Sequence, residues 1–137
     1  MAEQLRPPEE TSALDPADVR SAREALAWGA DLYHQGFPWE AHEVWEAVWH
    51  TLPRGGRGRS LVQGLVQMAA GEVLLACGRG RSGRRVLRRA ASLLSGPRAD
   101  DAVAGRLLDP DRLAAEVLRR AEAGGPRPRV RLDVPPR

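Results

Sequence analysis

The run Phe37-Pro38-Trp39-Glu40-Ala41-His42-Glu43-Val44-Trp45-Glu46-Ala47-Val48-Trp49-His50 gathers carboxylates, imidazoles and indoles into one short stretch. On a helix His42 and Glu46, four residues apart, share a face beside Trp49, while Glu43 and His50 share a second face. His42-Glu43-Val44-Trp45-Glu46 has the form of a zinc-protease helix whose second histidine is replaced by glutamate. His42 and Glu46 would be ligands and Glu43 the general base of a metal-dependent hydrolase. A catalytic zinc needs a third protein ligand, and the other histidines are only His34 and His50. A di-metal carboxylate bundle would need Glu-x-x-His pairs on two helices, and His42 has no acid three residues before it.

Gln63 and Gln67 are again four apart, within an otherwise apolar stretch that also holds Glu72, its one acid. Leaving a buried polar group unpaired costs about 1–3 kcal/mol. The alternative to a metal site is therefore a polar network or ligand pocket. In it His42, Glu46 and Glu43 meet Gln63, Gln67, Tyr33 or backbone groups and fix the register of two long helices. Trp39 lies off the main apolar stripe and is the indole placed to reach an interface.

Charge gives a second candidate. Residues 1–50 hold three Arg against ten acids, a net of −7, whereas residues 51–137 hold eighteen Arg against eight acids, a net of +10. Between Arg54 and Arg89 there are nine Arg and a single acid, Glu72. This stretch, with Arg84, Arg85, Arg88 and Arg89 at its end, makes a positive surface able to meet phosphates of nucleic acid. Every basic residue is Arg, and Lys, Ile and Asn are absent, so a guanidinium at any one position carries little information of its own. Charge runs of this kind are usually solvated faces.

The elements that must position these groups are helices. Asp15-Pro16-Ala17-Asp18 starts one, with Val19, Ala22, Leu26, Ala30 and Tyr33 as its apolar stripe and Gly36 as its stop. A second runs from about Pro38 to Leu52 with Ala41, Val44, Trp45, Val48, Trp49 and Leu52 on one face, and Pro53 through Gly58 make a loop. The third, Ser60 to Cys77, is apolar nearly all round and belongs at the centre. Its Gly64 and Gly71, seven apart on one side, allow a neighbouring backbone to come close. The fourth starts at Ser82 as N-cap, carries Val86, Leu87, Ala90, Leu93 and Leu94, and stops at Ser95-Gly96-Pro97. A short turn over Asp101 to Leu108 precedes the fifth. Asp109-Pro110-Asp111 opens that helix, Leu113, Val117, Leu118 and Ala121 form its stripe, and Gly124-Gly125-Pro126 ends it.

The expected architecture is all-α: one compact bundle of about five helices over residues 15–126 with a central apolar helix. A flexible segment, 1–14, precedes it and an extended tail, 127–137, follows, with Val130, Leu132 and Val134 projecting to one side. The longest apolar stretch, Leu61 to Cys77, is interrupted by Gln63, Gln67 and Glu72, so it reads as a buried helix rather than a membrane span. The early acids of Met1-Ala2-Glu3-Gln4 do not form a secretory signal, and Cys77 is the lone cysteine. A cytoplasmic chain with no internal disulfide, no cofactor and no membrane partner is expected.

The pattern Phe-x-x-Glu-Ala-His-Glu-x-x-Glu-x-x-Trp from Phe37 to Trp49, followed by Gln63-Gly64-x-x-Gln67-x-Ala69-Ala70, resembles the bacterial and archaeal domain of unknown function family 309. The resemblance runs from the first helix to the Asp109 helix, and Glu40, His42, Glu43, Glu46, Trp49, Gln63 and Gln67 match motif positions. It implies a compact α-helical fold and an intracellular protein, and brings no substrate, reaction or cofactor. Arg79-Gly80-Arg81-Ser82-Gly83-Arg84 departs from the family's pattern, which has Asn and a small residue opening the fourth helix. The function expected is a helical binding or assembly module acting on a protein, a small molecule or a second copy of itself, with the metal hydrolase and the nucleic-acid binder as alternatives.

Overall fold

The computed structural model describes residues 16–133; the N-terminal segment, the Asp15 cap and Val134 of the tail lie outside the described residues. Five α-helices follow in order: α1 (Pro16–His34), α2 (Pro38–Thr51), α3 (Arg57–Ala76), α4 (Gly80–Leu94) and α5 (Pro110–Ala123). A single 3-10 turn, Ala104–Arg106, lies between the last two. Each α-helix packs against the next, α5 returning to α4 across that connection. The central element is α3, whose Leu61, Val62, Leu65, Val66, Met68 and Ala69 are all buried. The all-α bundle is the architecture its period-3.6 patterning predicts. No helix of the described residues is long and apolar enough to cross a membrane.

Two of the connections are tight for one reason. Gly36 adopts φ +93°, its amide bonds to the Tyr33 carbonyl, and the Phe37 amide reaches back to Leu32. Gly78, at φ +78°, repeats this with Leu75 and with the Arg79-to-Leu74 bond. Both are Schellman turns, which glycine enters without a Cβ penalty. In each, the residue after glycine caps the following helix, Phe37 for α2 and Arg79 for α4.

That economy corrects one boundary: α4 opens at Gly80, and Ser82 lies inside its first turn rather than capping it. A second correction is that α3 starts at Arg57 and not at Ser60. The Arg57 guanidinium donates to the carbonyls of Leu93, Leu94 and Pro97, holding that first turn against the end of α4. Third, Asp109 occupies the cap of α5 but sits in the left-handed region, φ 47°, without a side-chain cap bond. Leu118 is exposed rather than part of the buried stripe, while Leu113, Val117 and Ala121 face inward as expected.

The close approach expected at Gly64 and Gly71 is present. A Cβ on Gly71 would lie 2.7 Å from Leu87 Cγ and 3.2 Å from the Gly83 carbonyl oxygen, and one on Gly64 would lie 2.7 Å from Leu94 Cγ. The tail is extended along the bundle, with an antiparallel bridge from Leu132 to Leu107 and a buried Val130. The Val130 amide donates to His34 Nε2 at 3.1 Å and the Arg129 amide to Glu116 at 2.9 Å.

Candidate functional site

The rotation of α2 is fixed by Trp45. Its indole Nε1 donates to the Leu26 carbonyl at 3.0 Å, and the ring lies where a Cβ of Gly29 would project. With Ala41, Trp45 and Val48 inward, the neighbouring stripe of Trp39, His42, Glu46 and Trp49 runs along one flank of the helix. The α3 residues left half-buried beside it are Arg59, Gln63 and Gln67, one helical turn apart.

Arg59 joins the two stripes. Its guanidinium lies 4.1 Å from the Trp49 ring centroid and donates to the Leu52 carbonyl at 3.0 Å. A 1.5 Å rise per residue along two antiparallel helices then sets Gln63 level with Glu46 and Gln67 level with His42. Of the seven motif residues, His42, Glu46 and Trp49 share one flank of α2, and Gln63 and Gln67 follow one and two turns after Arg59, the α3 residue that meets Trp49. Glu43 and Glu40 stand further round α2, and all three of its carboxylates are exposed.

Trp39, 55% exposed, stacks on His42 with ring centroids 5.3 Å apart and planes within 13°. His42 Nδ1 and Trp49 Nε1 are buried and meet no hydrogen-bond partner in the protein; two nitrogens of Arg112 on α5 share that condition. The flank therefore holds an indole donor, an imidazole, a carboxylate and two amides that do not satisfy one another. For a metal it offers two ligand types on one face, His42 and Glu46. Among the described residues no group of three His, Cys, Asp or Glu is placed to hold a metal ion.

The interior carries a different polar cluster. Glu72 of α3, 4% exposed, receives Arg120 of α5 in a bidentate pair, Nε to Oε2 at 3.1 Å and Nη2 to Oε1 at 2.9 Å. The Tyr33 hydroxyl donates to Oε2 from 3.4 Å. Burial, and then the Glu72 charge, drive the Tyr33 hydroxyl far above the ordinary phenol range, so it stays protonated. The Arg120 guanidinium also donates to the Gly125 carbonyl at 2.8 Å, and its pKa is raised, chiefly by the hydrogen bonds to Glu72.

Arg127 lies over the Tyr33 ring, 5.8 Å from the centroid, and reaches the Tyr33 carbonyl at 3.4 Å. Gly36, Pro38, Glu72, Leu75, Ala76, Arg120 and Arg127 line a cleft of about 350 Å³. Motif spacing does not point to this cluster. Its signal in the sequence is Glu72 itself, one carboxylate in a helix apolar on nearly every side, which requires a cation from elsewhere in the fold.

On α4, Arg84, Arg85, Arg88 and Arg89 are exposed as expected of a basic face. Arg88 is engaged by Glu122 of α5 at 2.9 Å. No curated protein and no solved structure matches the chain. Residues 26–86, which span the last nine residues of α1, all of α2 and α3 and the first part of α4, match the model of the family described as Domain of unknown function (DUF309), and this bears out the family read from the Glu-Ala-His-Glu motif.

Proposed function

We propose that the protein is a binding module whose α2–α3 flank receives an extended segment of a partner polypeptide. The observation that carries this is the pair of buried ring nitrogens, His42 Nδ1 and Trp49 Nε1, that no protein group meets. Each such group costs about 1–3 kcal/mol when left unpaired. Native folds keep few of them, and a site that a ligand completes is one reason to do so. Both lie among the motif residues, with the Trp49 ring packed in part against the core.

The spacing of the amides supports a polypeptide. Gln63 and Gln67 stand about 6 Å apart along α3, close to the roughly 6.6 Å at which an extended chain repeats the groups on one edge. Glu46, level with Gln63, offers an acceptor, and the Trp39–His42 stack is a planar end to the flank. The exposed carboxylates of Glu40, Glu43 and Glu46 favour a segment bearing Arg or Lys.

Trp49→Phe is the test. It removes one N–H and keeps most of the ring, so the lost ring area and the removed orphan donor oppose each other and stability stays within about 1 kcal/mol of wild type. Peptides enriched on the wild-type chain from a displayed library of short random sequences should bind the variant about tenfold more weakly. Peptides indifferent to Trp49→Phe and to the double change Gln63→Ala, Gln67→Ala would overturn the assignment, as would a library that yields none.

A further inference from the structure

The second polar cluster opens on a different face, and nothing in the motif accounts for it. Its cleft, about 350 Å³, falls within the size range of small-molecule sites. Two guanidiniums and one carboxylate line it, and the carboxylate is spent: both Glu72 oxygens are occupied by Arg120, and one also by the Tyr33 hydroxyl. Arg127 makes no ion pair among the described residues; its partners are the carbonyl and ring of Tyr33. The cleft therefore carries one positive charge in excess of what its own groups neutralise.

Three features orient that charge inward. Arg120 is clamped by Glu72 on one side and the Gly125 carbonyl on the other, which leaves two of its five N–H groups uncommitted. The Arg127 Nη2 lies within ordinary contact distance of the Gly36 Cβ position, 3.4 Å, so the guanidinium sits over the α1–α2 turn. Pro38, the first residue of α2, forms part of the wall, so the positive end of that helix borders the cleft. The lining also has an apolar part, Leu75, Ala76 and the Pro38 ring.

We propose that this cleft binds a small organic anion, a carboxylate carried on an apolar body, with the carboxylate between Arg127 and Arg120 and the body against Leu75 and Ala76. A planar carboxylate matches the guanidinium fork in two hydrogen bonds. The apolar lining favours it over inorganic phosphate, which has no body to bury. The site is separate from the α2–α3 flank, and either assignment can fail without the other.

The test titrates the full chain with benzoate, acetate and inorganic phosphate while backbone amide NMR signals are followed. Saturable shifts centred on Gly36, Leu75, Ala76 and Gly125 are expected, strongest with benzoate. Arg127→Gln, at an exposed position, should weaken benzoate at least fivefold. Ala76→Phe, also exposed, should block the cleft and do the same, so a folding defect in one variant leaves the other to decide. Arg85→Gln with Arg89→Gln, on the exposed basic face of α4, should change nothing. Shifts that do not saturate, shifts that follow the α4 arginines, benzoate binding unaffected by both Arg127→Gln and Ala76→Phe, or phosphate binding tighter than benzoate would each overturn the proposal.

Discussion

Arg120→Met removes the guanidinium that supplies Glu72 with hydrogen bonds at 2.9 and 3.1 Å and leaves only the Tyr33 hydroxyl at 3.4 Å. The Glu72 side chain is 3% exposed and cannot turn to water, whereas that of Arg120 is 22% exposed. Breaking a buried pair from one side costs about 3–5 kcal/mol, and the partial exposure of Arg120 puts this case at the lower end, about 3 kcal/mol. For a domain of this size that is a fall in Tm of about 12 °C. Glu72→Met alone strands a cation that can still reach solvent, for a loss of about 1–2 kcal/mol. The double change replaces the pair by two thioethers and leaves only the Tyr33 hydroxyl without an acceptor, so it should sit within about 1 kcal/mol of wild type. Urea unfolding of all four proteins, followed by far-UV circular dichroism at pH 7, gives the cycle directly. A coupling of about 3 kcal/mol is expected. An Arg120→Met loss under about 1 kcal/mol, or single effects that add within about 0.5 kcal/mol, would show that the pair is not the interior clamp described above.

Two further outcomes follow from the packing and the tail. Gly71→Ala gains about 1 kcal/mol of helix preference but sets a methyl 2.7 Å from Leu87 and 3.2 Å from the Gly83 carbonyl. The overpacking outweighs the gain and a net loss of about 1–2 kcal/mol is expected in the same urea assay; a more stable variant would mean that α3 and α4 separate freely. Burial, then the charges of Arg129 and Arg127, hold the His34 imidazole below its ordinary pKa against the opposing pull of Asp31. The unfolded chain then takes up that proton first, so this contribution is complete above about pH 6.5 and is lost as pH falls from there through the folded value. The acid side of the stability profile should flatten in His34→Gln, and the protection of the Val130 amide, taken relative to the intrinsic exchange rate at each pH, should fall in wild type as pH drops. A wild-type profile unchanged by His34→Gln would refute this role of the His34–Val130 bond.

Much of the scaffold was legible because it is written locally. The stops at Gly36 and Gly124, the inward stripe of Ala22, Leu26, Ala30 and Tyr33, and the pair Gly64 and Gly71 all follow from which face of a helix a residue occupies. The helix starts at Arg57 and Gly80 were not, because each depends on a group that sequence distance hides. Arg57 is held by carbonyls at the end of α4, and Gly80 follows a Schellman turn whose second bond falls on Arg79. The same limit governed the polar residues. Periodicity places His42 and Gln67 on adjoining flanks, but says nothing about which cation meets Glu72. That partner, Arg120, lies 48 residues away on α5, and Tyr33 comes from a third helix.

The two polar sites are held apart by α2. Its flank bears His42, Glu46 and Trp49, while its first residue, Pro38, forms a wall of the Arg127 cleft. A ligand at one could bias the other by turning or sliding that helix, or through α3, which carries Gln63 and Gln67 as well as Glu72, Leu75 and Ala76 of the cleft. Trp45 opposes both motions: its indole is bonded to the Leu26 carbonyl, and the ring fills the space that Gly29 leaves open. Close-packed interfaces of this kind shift between discrete arrangements rather than deforming smoothly. Displacement of α2 by a ligand at either site would first have to break the Trp45 bond, so along this helix the two proposed sites are expected to bind independently.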